Sequence, residues 1–276
     1  MNQWQNFLKN LGEWQGSFTQ LTPEGQEIRS TPSLLTLEGF EENQRVQFRL
    51  RRYADFSYPD PPIQDYSQDY RSLGRQIVFF NDGTFSKGPW QLAPFTEFGA
   101  EFGHIAGDRR MRLVQLYNKD LTLDSLTLIR EFRKGTAAKE RPPLTIQQLL
   151  GTWQGEAYTV TPQWSEAIVT PTELTIAQEG NCLQQRLTLG DQTLRSTGTI
   201  EGNTIHFTET TPRKVLLLPD GASCLTLDRL ELRQPFFLEV GWLVEENLRH
   251  RLIRRYDASG AWESSTLVIE KRSHLN

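Results

Sequence analysis

Most of this chain is a succession of short apolar segments, rich in Val, Leu, Phe and Thr and separated by turns. In the first half the pattern predicts eight strands, near residues 14–21, 31–37, 45–53, 75–80, 84–88, 98–105, 110–118 and 123–132. Asn81-Asp82-Gly83 and, in the second half, Pro219-Asp220-Gly221 supply the residues that tight hairpins need. The sequence therefore predicts an all-β, antiparallel protein.

Helical spacing is confined to two short segments. The first has Asn2 as its N-cap, with apolar positions at Trp4, Phe7, Leu8 and Leu11. The second begins at a candidate capping box of Thr145 and Gln148, with apolar positions at Ile146, Leu149 and Leu150. We expect a short helix before the strands of each half.

The chain repeats itself at an offset of 139 residues, where Leu11-Gly12-Glu13-Trp14-Gln15-Gly16 returns as Leu150-Gly151-Thr152-Trp153-Gln154-Gly155. One offset held over more than a hundred positions indicates two copies of one fold. The polar, proline-containing residues 134–143 are the expected linker. We predict domains at 1–135 and 144–276.

Consecutive short strands favour an up-and-down β-barrel in each copy. A barrel of about eight strands holds one small ligand or is filled by its own side chains. Both alternatives stay open from the sequence.

Each copy also carries a Gly-x-Trp followed at long range by an arginine: Trp14 with Arg133, and Trp153 with Arg272. This combination resembles the calycin group, which includes lipocalins and fatty-acid-binding proteins. The resemblance implies that each arginine stacks over its tryptophan at the barrel floor, a contact worth roughly 0.5–2 kcal/mol. It assigns these four residues a structural role.

A second resemblance covers both halves. It rests on the segments Phe79–Gly88, Phe98–Glu101 and Gly107–Arg110. With them the chain resembles the cyanobacterial family labelled domain of unknown function 3598, which is similar in fold to the lyases that attach bilins to phycobiliproteins. The resemblance implies a bilin-like or other apolar ligand by analogy, and a phycobiliprotein or other photosynthetic protein as partner.

Composition narrows the function classes. The chain has 276 residues and a net charge of −4, which gives no general attraction to nucleic acid. No stretch is long and apolar enough for a membrane span, and the N-terminal residues lack the pattern of a signal peptide. Cys182 and Cys224 are expected to be buried thiols in a reducing compartment. We expect a cytoplasmic protein.

Enzymatic motifs are missing from the sequence. The histidines are scattered, the cysteines have no metal-binding spacing, and neither a Gly-x-Ser-x-Gly elbow nor a P-loop is present. We therefore predict no catalytic residue and no metal ligand. A bilin lyase stays open as an alternative, because its acceptor protein supplies the reacting thiol.

The repeat also serves as a filter, because features shared by both copies are those that the fold requires. One unmatched feature is the aromatic, proline-rich segment 53–70, with Phe56, Tyr58, Tyr66 and Tyr70. Two interpretations remain: a lid whose rings stack on a flat ligand or a partner protein, or a hairpin loop packed on the outer wall.

A second candidate site lies on the strands around residues 98–112. Glu101 and His104 lie on opposite faces of one strand, so only one of them points inward. His104 has no counterpart in the second copy, where Trp242 takes its place. Arg110 and Arg112 share a face and are candidates to bind a carboxylate; the alternative is that they are solvated outer charges.

Three functions remain. The first is a non-enzymatic protein that binds an apolar, carboxylate-bearing molecule, such as a bilin, carotenoid derivative or fatty acid, in the N-terminal barrel. The second is a bilin lyase or chaperone for phycobiliproteins. The third is a photosynthetic assembly factor with filled barrels.

Overall fold

A computed structural model describes residues 2–164, 166–208 and 211–273 and confirms an all-β, antiparallel protein with a short helix before each half. In helix α1 (Gln3–Phe7) the side chain of Asn2 accepts a hydrogen bond from the amide of Gln5. Helix α2 (Ile146–Leu149) begins with the expected capping box of Thr145 and Gln148. Short 3₁₀ segments lie at Leu8–Asn10 and Pro219–Gly221.

The first half forms one nine-stranded sheet, which we call the first sheet. Its strands are β1 (Gly12–Leu21), β2 (Glu27–Phe40), β3 (Arg45–Arg52), β4 (Gln64–Tyr70), β5 (Ile77–Phe79), β6 (Phe85–Lys87), β7 (Phe98–Ala106), β8 (Arg109–Tyr117) and β9 (Leu123–Arg133). Their order across the sheet is β4-β3-β2-β1-β9-β8-β7-β6-β5. The first sheet is therefore a half-barrel, open between β4 and β5.

The second half closes into a ring, the second barrel. Its strands are β10 (Gly151–Val160), β11 (Ile168–Glu179), β12 (Cys182–Leu189), β13 (Gln192–Glu201), β14 (Thr204–Phe207), β15 (Arg213–Leu217), β16 (Ala222–Thr226), β17 (Phe236–Glu245), β18 (Leu248–Tyr256) and β19 (Trp262–Arg272). Each pairs with the next along the chain, and β19 pairs with β10. The result is an up-and-down barrel of ten strands.

Two features of the first sheet differ from the sequence-based expectation. Residues 64–70 form strand β4 rather than a loop, and the sheet does not close into a barrel. Strands β5 and β6 have only three residues each. Beyond β6 the chain turns to the second half instead, where Arg254 donates hydrogen bonds to the carbonyls of Gly88 and Pro89.

The largest apolar cluster lies between the two halves, not inside either of them. Outward-facing residues of β7, β8 and β9 pack on outward-facing residues of β16, β17 and β18, among them Phe98, Phe102, Met111, Leu113, Leu128, Cys224, Val240, Trp242, Leu252 and Tyr256. At Trp242 the indole is fully buried, donates to the carbonyl of Asp220, and lies 4.8 Å from the Arg109 guanidinium. The two halves therefore share one core.

Both halves have the same closed end. The guanidinium of Arg133 lies 4.4 Å from the ring centre of Trp14, and that of Arg272 lies 4.7 Å from the ring centre of Trp153. Each indole donates to a carbonyl of the preceding helical segment, at Asn10 in the first half and Leu149 in the second. The repeated Gly-x-Trp thus joins each first strand to its helix.

Candidate functional site

Side-chain alternation gives β8 two different faces, both buried. Met111 and Leu113 pack toward the second barrel, so Arg110 and Arg112 point to the concave side of the first sheet. In the register, Arg110 lies opposite Glu131 of β9, and Gly103 of β7 lies opposite Arg112. The two arginines are thereby placed in an internal ionic cluster with Glu131 and Glu101.

Arg112 is held by both carboxylates of this cluster. Its Nε and Nη2 donate to the two oxygens of Glu131 at 3.0 and 2.9 Å, and its Nη1 donates to Glu101 at 2.8 Å. Burial alone would raise the pKa of Glu131, but Arg112 and Arg110 lower it below its usual value. Glu131 is therefore an ionised, fully buried carboxylate, and Arg112 is its main partner.

Arg110 differs from Arg112, although its side chain is only 5% exposed. Its Nε lies 3.2 Å from a Glu131 oxygen, but neither Nε nor Nη1 makes a hydrogen bond. Burial lowers the pKa of Arg110 to about 10, so the guanidinium is still charged at neutral pH. A buried cation with unused donors is costly on its own and favours an anion beside it.

Arg110 borders a cavity of about 240 Å³ on the concave side of the first sheet. The apolar part of its wall comes from Phe7, Leu37, Phe48, Leu73, Ile77, Phe79 and Phe85. Ser72, Gly74 and Gln76, from the segment that spans the gap between β4 and β5, complete the wall together with Tyr70 and Lys87. The first half is therefore hollow, with cations on one side and apolar side chains on the other.

The second barrel repeats the cluster. Arg251 donates to Glu270 at 3.0 and 3.2 Å and to Glu239 at 3.4 Å. Arg249 is buried, its Nη1 lies 3.5 Å from Glu270 without a hydrogen bond, and burial lowers the pKa of its guanidinium. Arg249 thus occupies the place of Arg110.

The cavity of the second barrel is larger, at about 390 Å³. It is bordered by Leu174, Ile176, Ile205, Phe207 and Val215, and by Arg213, Arg249, Arg251 and Arg255. Binding pockets for small molecules typically occupy about 300–1,000 Å³. The second cavity lies within that range, and the first lies just below it.

The predicted aromatic segment is divided between two places. Tyr70 borders the first cavity, and Tyr66 lies on the same concave face, where its ring contacts Phe48. Tyr58 instead donates to the carbonyl of Gly16, and it borders a surface cleft together with Phe56 and the linker. Tyr70 thus belongs to the cavity, Tyr66 lies beside it on the concave face, and Phe56 and Tyr58 lie on the outer wall.

Of the two candidates on β7, Glu101 points to the cavity and His104 points away from it. His104 is fully buried against the second half, where its Nε2 lies 3.1 Å from the carbonyl of Val240. Burial and the nearby His250 lower the pKa of His104 to about 3, so its ring is neutral. His104 belongs to the contact between the halves.

Sequence reasoning missed Glu131 and Glu270 as members of the clusters. The sequence does contain a clue to them, because Glu131 and Glu270 keep the offset of 139 residues, as do Arg110 and Arg249. Among the described residues, no group of three or more His, Cys, Asp or Glu side chains is arranged to hold a metal ion. No helix within those residues is long and apolar enough to cross a membrane.

Comparison with solved structures identifies the family. A protein of unknown function from the DUF3598 family of Nostoc punctiforme PCC 73102 is 42% identical, with 99% of this chain and 100% of that chain covered and a TM-score of 0.92. The chain belongs to the DUF3598 family. The family model for the N-terminal part of this domain of unknown function matches residues 1–136.

Two further similarities each cover about half of the chain. Residues 140–273 match the family model described as the C-terminal domain of biogenesis factor required for ATP synthase 1. The S-type phycobiliprotein lyase of Guillardia theta is 11% identical over 47% of this chain and 91% of that chain; its TM-score of 0.36 is too low to bear on function. No sequence among the curated proteins matches this chain.

Proposed function

We propose that this DUF3598 protein is a non-enzymatic binding protein, whose first sheet takes up a small apolar molecule with one carboxylate. The observation that carries the proposal is Arg110, a buried cation that borders a cavity and whose Nε and Nη1 make no hydrogen bond with the described residues. A bound carboxylate supplies acceptors to such a group, and a charge-assisted hydrogen bond of this kind contributes about 1.5–3 kcal/mol.

The charges around the first cavity favour a single acid group. Lys87, Arg110 and Arg112 border it, while Glu101 and the buried Glu131 supply two negative charges. One cation is left in excess. The rings of Phe48, Tyr66 and Tyr70 lie on the same face and suit the flat or apolar body of a bilin, a carotenoid derivative or a fatty acid.

Arg112 is now assigned a different role from the one that its strand position suggested. Three of its nitrogens already donate to Glu131 and Glu101, so it positions the carboxylates instead of receiving the ligand. His104, Phe56 and Tyr58 are likewise left out of the proposed site, since none of them lies on the concave face of the first sheet.

The test compares Arg110→Met with Arg49→Met, an equivalent change on the outer face, where Arg49 pairs with Asp65. Wild type and both variants are titrated with biliverdin, phycocyanobilin and dodecanoate, using absorbance and calorimetry. We expect one of these acids to bind about 10- to 150-fold more weakly to R110M and unchanged to R49M. No binding to wild type, or equal binding to R110M, would overturn the proposal.

A second candidate function is an assembly factor. It is supported by the match of residues 140–273 to the ATP synthase biogenesis-factor family. Co-purification from cyanobacterial extract tests it: recovery of ATP synthase subunits with the tagged chain supports this candidate, and their absence after crosslinking contradicts it.

A further inference from the structure

The second barrel contains its own buried guanidinium with an unused donor. Arg249 is buried, and its Nη1 makes no hydrogen bond with the described residues, although it lies 3.5 Å from Glu270. The same side chain borders the cavity of about 390 Å³. As at Arg110, such a group favours an acceptor oxygen beside it.

The charges of β18 leave room for one acid group in this cavity. Three arginines of the strand border it: Arg249, Arg251 and Arg255. The carboxylates of Glu239 and Glu270 lie against the first two of them. Arg213 also borders the cavity, but it has a partner of its own. One cation of the strand is thus in excess, as in the first cavity.

The acid group belongs at the closed end of the barrel. Arg249 lies opposite Glu270 on β19, two residues from Arg272, whose guanidinium stacks on Trp153. Farther along β18, Ile253 borders the cavity. Aliphatic side chains of other strands complete the wall: Leu174, Ile176, Leu187, Ile205 and Val215. An acid bound at Arg249 can therefore extend an apolar body along the barrel.

One wall position differs strongly in size between the two cavities. Phe85 lies opposite Gly103 in the first sheet, and Ser223 lies opposite Gly241 in the second barrel. The two glycines are equivalent, since each also lies opposite the central arginine of its cluster. A Cβ at Gly103 would overlap the ring of Phe85, so this ring fills the space over the glycine. The second barrel has only the small side chain of Ser223 there.

A second wall position shows the same trend. Phe48 pairs with Leu37 in the first sheet, and Gln185 pairs with Ile176 in the second barrel. Leu37 and Ile176 keep the offset of 139 residues, so Phe48 and Gln185 are equivalent. Each borders its own cavity. Both replacements enlarge the second cavity relative to the first.

We infer that the second barrel is a second binding site for an apolar molecule with one carboxylate, held by Arg249. It accepts a larger apolar body than the first cavity, because Ser223 stands where the first sheet has Phe85. Each chain then holds two ligands, at sites that differ in the size they accept. The second site does not depend on the function proposed for the first sheet.

Stoichiometry tests the presence of the second site. Calorimetric titration with dodecanoate should give two molecules per chain for wild type. Each arginine removed should weaken one site at least about tenfold, so R110M and R249M should each keep one tight site. Arg186→Met, at an exposed arginine whose neighbours Gln185 and Leu187 border the cavity, is the control and should bind as wild type.

Chain length tests the difference in size. Octanoate and hexadecanoate are titrated into R110M, which keeps the second site, and into R249M, which keeps the first. The preference for hexadecanoate should be at least about tenfold greater in R110M, because the second cavity has room for more methylene groups. Adding Ser223→Phe to R110M should reduce this preference to that of R249M, and Ser223→Leu should give an intermediate value.

Far-UV circular dichroism and Tm identify any variant that fails to fold. The inference is overturned if R110M does not bind dodecanoate, if R249M binds as many molecules as wild type, or if both variants show the same chain-length preference. Binding to R110M without binding to R249M would refute the proposed function alone, and the two Ser223 variants would then test the size. The reverse result would refute the second site and leave the proposed function intact.

Discussion

The first sheet and the second barrel contain the same cluster of two arginines and two glutamates, but they enclose it differently. Ten strands surround the cluster in the second barrel, whereas the first sheet leaves a gap that only residues 71–76 span. The cavities follow this difference, at about 390 and 240 Å³. The duplicated ionic cluster is thus the same in both halves, whereas the strands that surround it differ.

The outer faces of the two halves show the opposite pattern. Arg110 and Arg249 have the same environment, but the neighbouring outward positions are occupied by different residues, His104 in the first half and Trp242 in the second. These outward residues meet each other across the shared core. The comparison teaches that the halves share the buried ionic cluster and differ in the residues with which they touch.

The largest expected effect tests whether the stability of the first sheet depends on its contact with the second barrel. Trp242→Ala removes a fully buried indole from the shared core and should cost about 4 kcal/mol of unfolding free energy. Urea unfolding followed by circular dichroism should still show one transition, since both halves lose the same contact. Leu232→Ala, at an exposed position, should change stability by less than about 0.5 kcal/mol. Two separate transitions in W242A would show that each half is stable alone.

The next effect tests whether the two clusters are equivalent. Arg112→Met leaves Glu131 buried without its main partner and should cost about 3 kcal/mol, and Arg251→Met should cost the same through Glu270. Arg110→Met and Arg249→Met should stay within about 1 kcal/mol of wild type, because each carboxylate keeps its main partner. Chemical denaturation at pH 7 measures all four. Equal losses at Arg110 and Arg112 would contradict the division of roles.

The smallest expected effect tests the difference between His104 and Trp242, the outward residues at equivalent places in the two halves. His104 has a folded pKa of about 3, against about 6.5 in the unfolded chain. The unfolded state therefore binds more protons below pH 6.5, and stability falls as the pH decreases. As the pH is lowered from 8 to 5, His104 decreases the free energy of unfolding by about 2 kcal/mol.

His104→Leu should remove that part of the pH dependence and leave the part due to His250, whose pKa burial also lowers. Leu232→Ala, at an exposed position without an ionisable side chain, should leave the pH profile as in wild type. Unfolding free energies at pH 5, 6, 7 and 8 give the comparison. An unchanged profile in H104L would show that His104 is not protonated on unfolding.

The sequence predicted the elements that have a strong apolar pattern. All eight strands expected in the first half overlap observed strands, and both helices begin at the predicted caps. Strand β4 was missed because Asp65, Ser67 and Asp69 alternate with Gln and Tyr, so neither face is aliphatic. Cross-strand ion pairs of Arg45 with Asp69 and Arg49 with Asp65 accompany its pairing with β3.

The site was harder to predict, for a physical reason. A strand with arginines on one face and Met111 and Leu113 on the other usually has its apolar face inside, as in a single barrel with a solvated surface. Here the apolar face is covered by the other half of the chain, so the arginines turn to the interior. One sequence does not show which surface a second domain covers.

Because both faces of β8 and β18 are buried, these strands tolerate few insertions or deletions. Deleting or inserting one residue in the middle of β8 exchanges the environments of all positions beyond it. Arg112 would then enter the apolar contact between the halves, and Leu113 would enter the cavity. A substitution on one of these strands alters one of its two surfaces, whereas a change in strand length disrupts both surfaces at once.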